Sequence, residues 1–289
     1  MCWYCGCHTT VARRDGPLAG YLHALHQEIA LVAASLGRRL AIDHVHFGGG
    51  TPTILQPEDL LRLVARLLAT FPISAHAEMA IEIDPISARS RRRAFRKRAL
   101  ATSRRKPSGR RSSPPVTAAS GLDHYALPGD SMAVAQDRGT LRRNFQGYTT
   151  DRSDVLLAFG ASAIGRLPQG YVQNEVVLGR YAERLRRGEL PIAKGYCLTR
   201  DDRLRADLIE RVMCAFRVDV EQVCRDHEHP ESAVVKALPA LERLAADGII
   251  SIRGTLIEVE LEARPLVRTV ASGFDDYLGA SGRTHSRAV

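Results

Sequence analysis

The sequence predicts an α/β chain in which a parallel strand-and-helix layer or barrel is followed by a mainly helical, winged-helix-like domain. Three observations predict it. Helix, strand, helix and strand alternate over residues 15–84, the order that builds a parallel layer. The alternation collapses over residues 86–120. From about Asp201 amphipathic helices lead into a short hairpin and a last helix. With 289 residues the chain has room for one large domain or two ordinary ones. The expected division is 1–85, a basic linker or junction at 86–120, and 121–289.

The first helix enters at Asp15-Gly16-Pro17, with Pro17 suited to a first turn. Leu18, Leu22, Leu25, Ile29, Val32 and Leu36 then recur at helical spacing and predict one apolar face ending near Gly37. Ala41–Phe47 reads as a strand running into Gly48-Gly49-Gly50-Thr51-Pro52-Thr53. Pro57-Glu58-Asp59 opens a second helix, whose apolar side is predicted as Leu60, Leu61, Val64, Leu67, Leu68 and Phe71. A strand at Glu78–Asp84 places Met79, Ile81 and Ile83 on one side and Glu82 and Asp84 on the other.

Residues 86–120 hold twelve Lys or Arg and no Asp or Glu, so they account for all of the formal net charge of +9. The remaining 29 basic and 32 acidic residues describe no basic surface. The segment lacks periodicity and predicts no packed structure. Beyond it, Leu204, Leu208, Ile209, Val212, Met213 and Phe216 form one helical face. Val234–Asp247 predicts another helix that Pro239 either kinks or delays. Ile249–Ile252 and Leu256–Val259 read as a hairpin around Arg253-Gly254, and a last helix is expected over about Arg264–Leu278.

No apolar run approaches the ~18 residues of a membrane span, and no signal-peptide pattern is read at the start. Cys197, Cys214 and Cys224 read as reduced, buried thiols of a cytosolic protein.

Cys2, Cys5 and Cys7 stand at C-x-x-C-x-C, a density that gathers thiolates on a metal or cluster. Zinc on Cys2, Cys5, Cys7 and His8, or an iron–sulfur cluster, both answer to that spacing. The glycine run lets backbone approach a ligand closely, or simply turns the chain. It has neither the Lys of a P-loop nor a G-x-G-x-x-G pattern. Glu82 and Asp84 suit a site at the end of a barrel strand, or a solvated edge.

In order, Trp3-Tyr4-Cys5-Gly6-Cys7, His46-Phe47-Gly48-Gly49-Gly50-Thr51-Pro52-Thr53 and Ile81-Glu82-Ile83-Asp84-Pro85 resemble the radical S-adenosylmethionine enzymes. More narrowly, the chain resembles oxygen-independent coproporphyrinogen III oxidase (coproporphyrinogen dehydrogenase). Gly121–Pro128, Arg143-Asn144-Phe145-Gln146-Gly147-Tyr148-Thr149-Thr150 and Gly160–Ile164 carry that narrower likeness.

The resemblance implies an incomplete radical-SAM (β/α) partial barrel before the C-terminal domain. It implies a [4Fe–4S] cluster and S-adenosylmethionine as cofactors, an external electron donor, and coproporphyrinogen III as substrate. Its propionates would be decarboxylated to vinyls by a 5′-deoxyadenosyl radical mechanism in haem biosynthesis, giving protoporphyrinogen IX. By motif, Cys2 and Cys5 match the second and third cluster ligands, while Cys7 matches a further family cysteine that is no ligand. Tyr4, Gly49, Gly50, Thr51 and Glu82 match cofactor-binding positions, and no catalytic side chain is assigned. The first cluster cysteine of the family would precede Cys2 by four residues, and this chain has no such position. Several barrel strands of the family are replaced by 86–120, and Ser120 falls where the family has an apolar residue near the cofactor. The expectation is therefore an N-terminally truncated, internally deleted and impaired form, cytoplasmic and monomeric, with no membrane or nucleic-acid partner. The alternatives are a porphyrin-binding remnant without catalysis, or a zinc- or nucleic-acid-binding protein.

Overall fold

Helix α1 (Asp15–Ser35) forms where the leucine spacing predicts it and stops before Gly37, whose φ of +62° suits a helix C-terminus. It belongs to a computed structural model that describes residues 15–37, 40–49, 52–82, 118–120, 124–127, 129–145, 147–230, 234 and 237–278. These residues divide into two compact units. One comprises those within Met1–Ser113, Val155–Leu167 and Val172–Gly195, the other those within Pro114–Asp154, Pro168–Tyr171 and Tyr196–Val289.

In the first unit α1 is buried on two sides rather than along the single predicted face. Ile29 packs with Leu63 and Phe71, while Ala24 packs with Tyr181 and Leu185. A helix flanked by two clusters needs apolar residues spread round it, and α1 has them. Strand β1 (Ile42–Phe47), helix α2 (Pro57–Thr70) and strand β2 (Ile73–Ile81) follow, and β1 and β2 pair in parallel. Pro57 sits in the first turn of α2, with Glu58 and Asp59 beside the positive end of its dipole.

Two expectations fail here. Leu63, absent from the predicted side of α2, is buried, while Leu61 is 67% and Leu68 53% exposed. The stripe that meets α1 runs through Leu63, Leu67 and Phe71, so residues on its far flank stay in water. Strand β2 starts at Ile73 rather than Glu78, and the predicted apolar residues Met79 and Ile81 are exposed. Among the described residues no element covers them, and Ile83 and Asp84 lie outside those residues.

Strands β3 (Ala118–Ser120) and β4 (His124–Ala126) pair antiparallel, so the last three positions of the expected linker are in a ladder. Helix α3 (Ser131–Asp137) is capped by Asp130, whose carboxylate accepts from the Met132 N–H. A tight hairpin of β5 (Arg142–Asn144) and β6 (Gly147–Thr149) follows. Strands β7 (Ile164–Leu167), β8 (Gly170–Asn174) and β9 (Ile192–Cys197) lie in the order β7-β8-β9, with helix α4 (Leu178–Arg186) between β8 and β9.

The second unit is centred on α5 (Arg200–Ala215), which opens with a reciprocal Thr199–Asp202 capping box. Leu204, Leu208 and Val212 are fully buried along it, as the periodicity predicts. Strand β10 (Arg217–Asp219), helices α6 (Val220–Asp226) and α7 (Leu238–Ala246), and strands β11 (Ile250–Arg253) and β12 (Leu256–Val259) follow, with sheet order β10-β12-β11. Helix α7 starts late, with Pro239 in its first turn. The last helix is shorter than expected. A 3₁₀ turn at Leu261–Leu266 contains Pro265, and the α-helix proper, α8, covers Val267–Ser272. Cys214 and Cys224 are buried, but Cys197, at the end of a strand exposed throughout, is not.

The least expected feature of the first unit is Glu28, which is 1% exposed on α1. Its Oε2 accepts from the Tyr181 hydroxyl at 2.6 Å and the Gly160 N–H at 2.7 Å, and its Oε1 from Asn174 Nδ2 at 2.5 Å. Gly160 has φ +106°, and a Cβ there would come within 2.5 Å of the Tyr21 hydroxyl, so glycine is required. Burial raises the Glu28 pKa above its ordinary 4.5, against the lowering effect of the three donors.

Replacing Glu28→Leu strands those three donors, and urea titration is expected to show a loss of about 2–4 kcal/mol. The folded chain holds the Glu28 proton at a higher pH than the unfolded chain does. Stability from this group therefore increases as pH falls through the raised folded value toward 4.5. Thermal melts across that window should show this slope in the native chain and lose it in Glu28→Gln.

Candidate functional site

The parallel register sets Phe47 opposite Ile81, so β1 and β2 deliver their following residues to one edge. The Glu82 N–H donates to the Phe47 carbonyl at 2.9 Å, extending the ladder by one bond. Gly48 and Gly49 leave β1 at the same level. Glu82 Oε2 accepts from the Gly49 N–H at 3.2 Å, and Oε1 lies 3.2 Å from His46 Nε2. The imidazole and carboxylate are 30% and 42% exposed, so solvent screens their pairing and a ligand can reach them.

Both glycines are needed for this arrangement. A Cβ on Gly48 would sit 2.7 Å from His46 Nε2 and 2.8 Å from Glu82 Oε1. Gly49 has φ +101°, which L side chains rarely adopt. The result is a bare backbone cradle around one carboxylate. Such a set suits a ligand with ammonium or hydroxyl donors, and the charge of Glu82 disfavours a phosphate.

Of the residues singled out from sequence, Gly49 and Glu82 are brought together. Cys2, Tyr4, Cys5, Cys7, His8, Gly50 and Thr51 lie outside the described residues. Ser120 closes β3, and only its backbone is described. Among the described residues no group of three His, Cys, Asp or Glu side chains is placed to hold a metal ion. The sequence motifs assign His46 no role of its own. Strand periodicity nevertheless puts position 46 on the side of position 48, which is the signal for it.

No protein-family model matches the chain. It is 38% identical to the oxygen-independent coproporphyrinogen III oxidase of Bradyrhizobium diazoefficiens, covering all of this chain and 87% of that protein. That comparison runs over 391 positions against the 289 residues here, so a sizeable stretch of the relative has no counterpart. The protein of the same name from Paracoccus denitrificans is 29% identical, covering 100% of this chain and 86% of its own length. Among solved structures, coproporphyrinogen III oxidase from Escherichia coli, a radical SAM enzyme, matches with a TM-score of 0.78 at 27% identity, over 96% of this chain and 87% of that one.

The two glycines should separate in side-by-side urea titrations. Gly48→Ala is expected to stay within about 1 kcal/mol of the native chain, because two flexible side-chain ends swing away. Gly49→Ala is expected to lose about 1–2 kcal/mol, because its backbone conformation is strained for alanine.

Proposed function

The chain belongs to the oxygen-independent coproporphyrinogen III oxidase family, and we propose that it acts on coproporphyrinogen III, converting propionates to vinyls in haem biosynthesis with S-adenosylmethionine and a [4Fe–4S] cluster. The observation that carries this reading is the Glu82–Gly49 pairing at the ends of two parallel strands, in a chain related to these oxidases along its whole length. Glu82, Gly49, Gly50, Thr51 and Tyr4 would bind S-adenosylmethionine. The cradle fits its amino group, because Glu82 offers an acceptor where a Gly48 Cβ would otherwise intrude. Cys2 and Cys5 would hold the cluster, and Cys7 would stand by as a third thiol. When bound, cluster and cofactor supply the radical chemistry, and the protein holds and orients the reactants.

The first unit is read as part of a (β/α) barrel, supported by the β1–α2–β2 order and parallel pairing. In the second, helix, strand, two helices and a hairpin on one three-stranded sheet support the winged-helix-like reading. We also place this chain below its relatives in activity, since the comparison leaves positions of the relative without a counterpart and, among the described residues, β1 and β2 form a two-stranded sheet. A monomer in the cytoplasm, served by an external electron donor and without a nucleic-acid partner, completes the reading. No described helix is long and apolar enough to cross a membrane. Relationship to oxidases throughout the chain favours an enzyme over a porphyrin-binding remnant or a zinc- or nucleic-acid-binding protein.

Anaerobic reconstitution, followed by iron and sulfide analysis and an assay for 5′-deoxyadenosine, tests both parts. Less than one cluster per chain and slow cofactor cleavage are expected. Stoichiometric cluster with turnover matching that of a relative would overturn the impairment. Glu82→Gln is expected to weaken S-adenosylmethionine binding by about tenfold or more in equilibrium dialysis. A native chain that does not bind the cofactor would sink the functional reading.

A further inference from the structure

The β5–β6 hairpin carries the Arg143–Thr149 run, which the cofactor cradle leaves unused. Arg143 and Tyr148 stand opposite one another in its ladder, and the guanidinium carbon lies 4.7 Å from the Tyr148 ring centroid. Tyr148 is buried, and its hydroxyl donates to the Met213 carbonyl at 3.0 Å, so the ring is held in place. The nearby carboxylate is already engaged. Glu210 Oε1 accepts from the Arg143 backbone N–H at 2.8 Å and lies 3.1 Å from Arg142 Nε. Cys214, within electrostatic reach of Arg143, is a neutral thiol whose pKa burial pushes up to about 12, so it offers no anion.

Arg143 Nη1 is therefore buried without a hydrogen-bond partner among the described residues. Buried polar groups in folded proteins nearly always have partners. An aromatic face is a weaker partner for a guanidinium than a carboxylate is. At the tip of the same hairpin Phe145 is 58% exposed and meets Tyr171 edge-on, with centroids 5.1 Å apart and planes at 80°. One hairpin thus presents a guanidinium short of an acceptor and a solvent-facing aromatic pair.

We propose that Arg143 binds a propionate carboxylate of the tetrapyrrole substrate, with Phe145 and Tyr171 bearing on its apolar body. The proposal rests on the functional reading above, and it names the residue that would recognise the substrate's acid group. A guanidinium offers two parallel N–H donors to a carboxylate, a geometry that an ammonium does not reproduce. The aromatic pair contributes contact area without competing for the charge. The methionyl end of S-adenosylmethionine also carries a carboxylate, so the test must distinguish the two sources.

The probe is coproporphyrin III, the air-stable oxidised form, titrated into the full chain by fluorescence, beside its tetramethyl ester. Arg143→Gln is expected to raise Kd for the free acid by about tenfold or more and to leave ester binding unchanged. If Arg143→Gln melts below the assay temperature, Arg143→Lys becomes the readout. It keeps the charge but not the paired donors, and should weaken acid binding several-fold with the ester unaffected. Equal Kd for native and variant chains, or equal losses for acid and ester, overturns the proposal. So does a variant that loses S-adenosylmethionine in equilibrium dialysis while still binding coproporphyrin III as tightly as the native chain, which assigns the guanidinium to the cofactor instead. A native chain that binds no coproporphyrin III overturns the functional reading itself.

Discussion

The parallel register of β1 against β2 is the constraint on which the candidate site depends. With Phe47 opposite Ile81 and the Glu82 amide bonded to the Phe47 carbonyl, the carboxylate emerges beside the glycine turn. A slip of one residue would send the Glu82 side chain to the other face of the strand and leave the Gly49 N–H without its acceptor. Helix α2 helps to hold the register. Leu63 and Phe71 anchor it to Ile29 of α1, and the strands are carried with it. The glycines complete the arrangement by removing a Cβ where the carboxylate must lie and by allowing the positive φ of Gly49.

Two buried polar groups show opposite answers to one physical demand. Glu28 brings a carboxylate into the interior of the first unit and meets three donors there, so it ties α1 to Gly160, Asn174 and Tyr181. Its raised pKa records that burial outweighs those bonds, yet every donor is satisfied. Arg143 Nη1 in the second unit is buried without an acceptor among the described residues. A satisfied buried group holds a fold together, whereas an unsatisfied one costs free energy and calls for an explanation.

Much of the architecture was legible because it follows from local periodicity. The spacing of Leu204, Leu208 and Val212 predicts α5, alternation predicts β1, and Arg253-Gly254 predicts the turn between β11 and β12. The errors share a cause. Leu61, Leu68, Met79 and Ile81 have the pattern of buried residues yet stand in water. Period reports which residues share a face, but not whether another element covers that face. Glu28 is illegible in the sequence for the same reason, since a glutamate on a helix reads as solvent-facing until its three donors are placed around it.

The sequence alone determined the order of helices and strands, the glycine run, Glu82 as a cofactor-binding candidate, and the family. These are properties of short segments and of motifs, which carry their own chemistry. Only the tertiary structure decided that His46 joins Glu82, that Glu28 meets Tyr181 across 153 positions, and that Arg143 Nη1 finds no acceptor among the described residues. Such pairings join residues far apart in the chain, and their partners exist only once packing has set the distance between them.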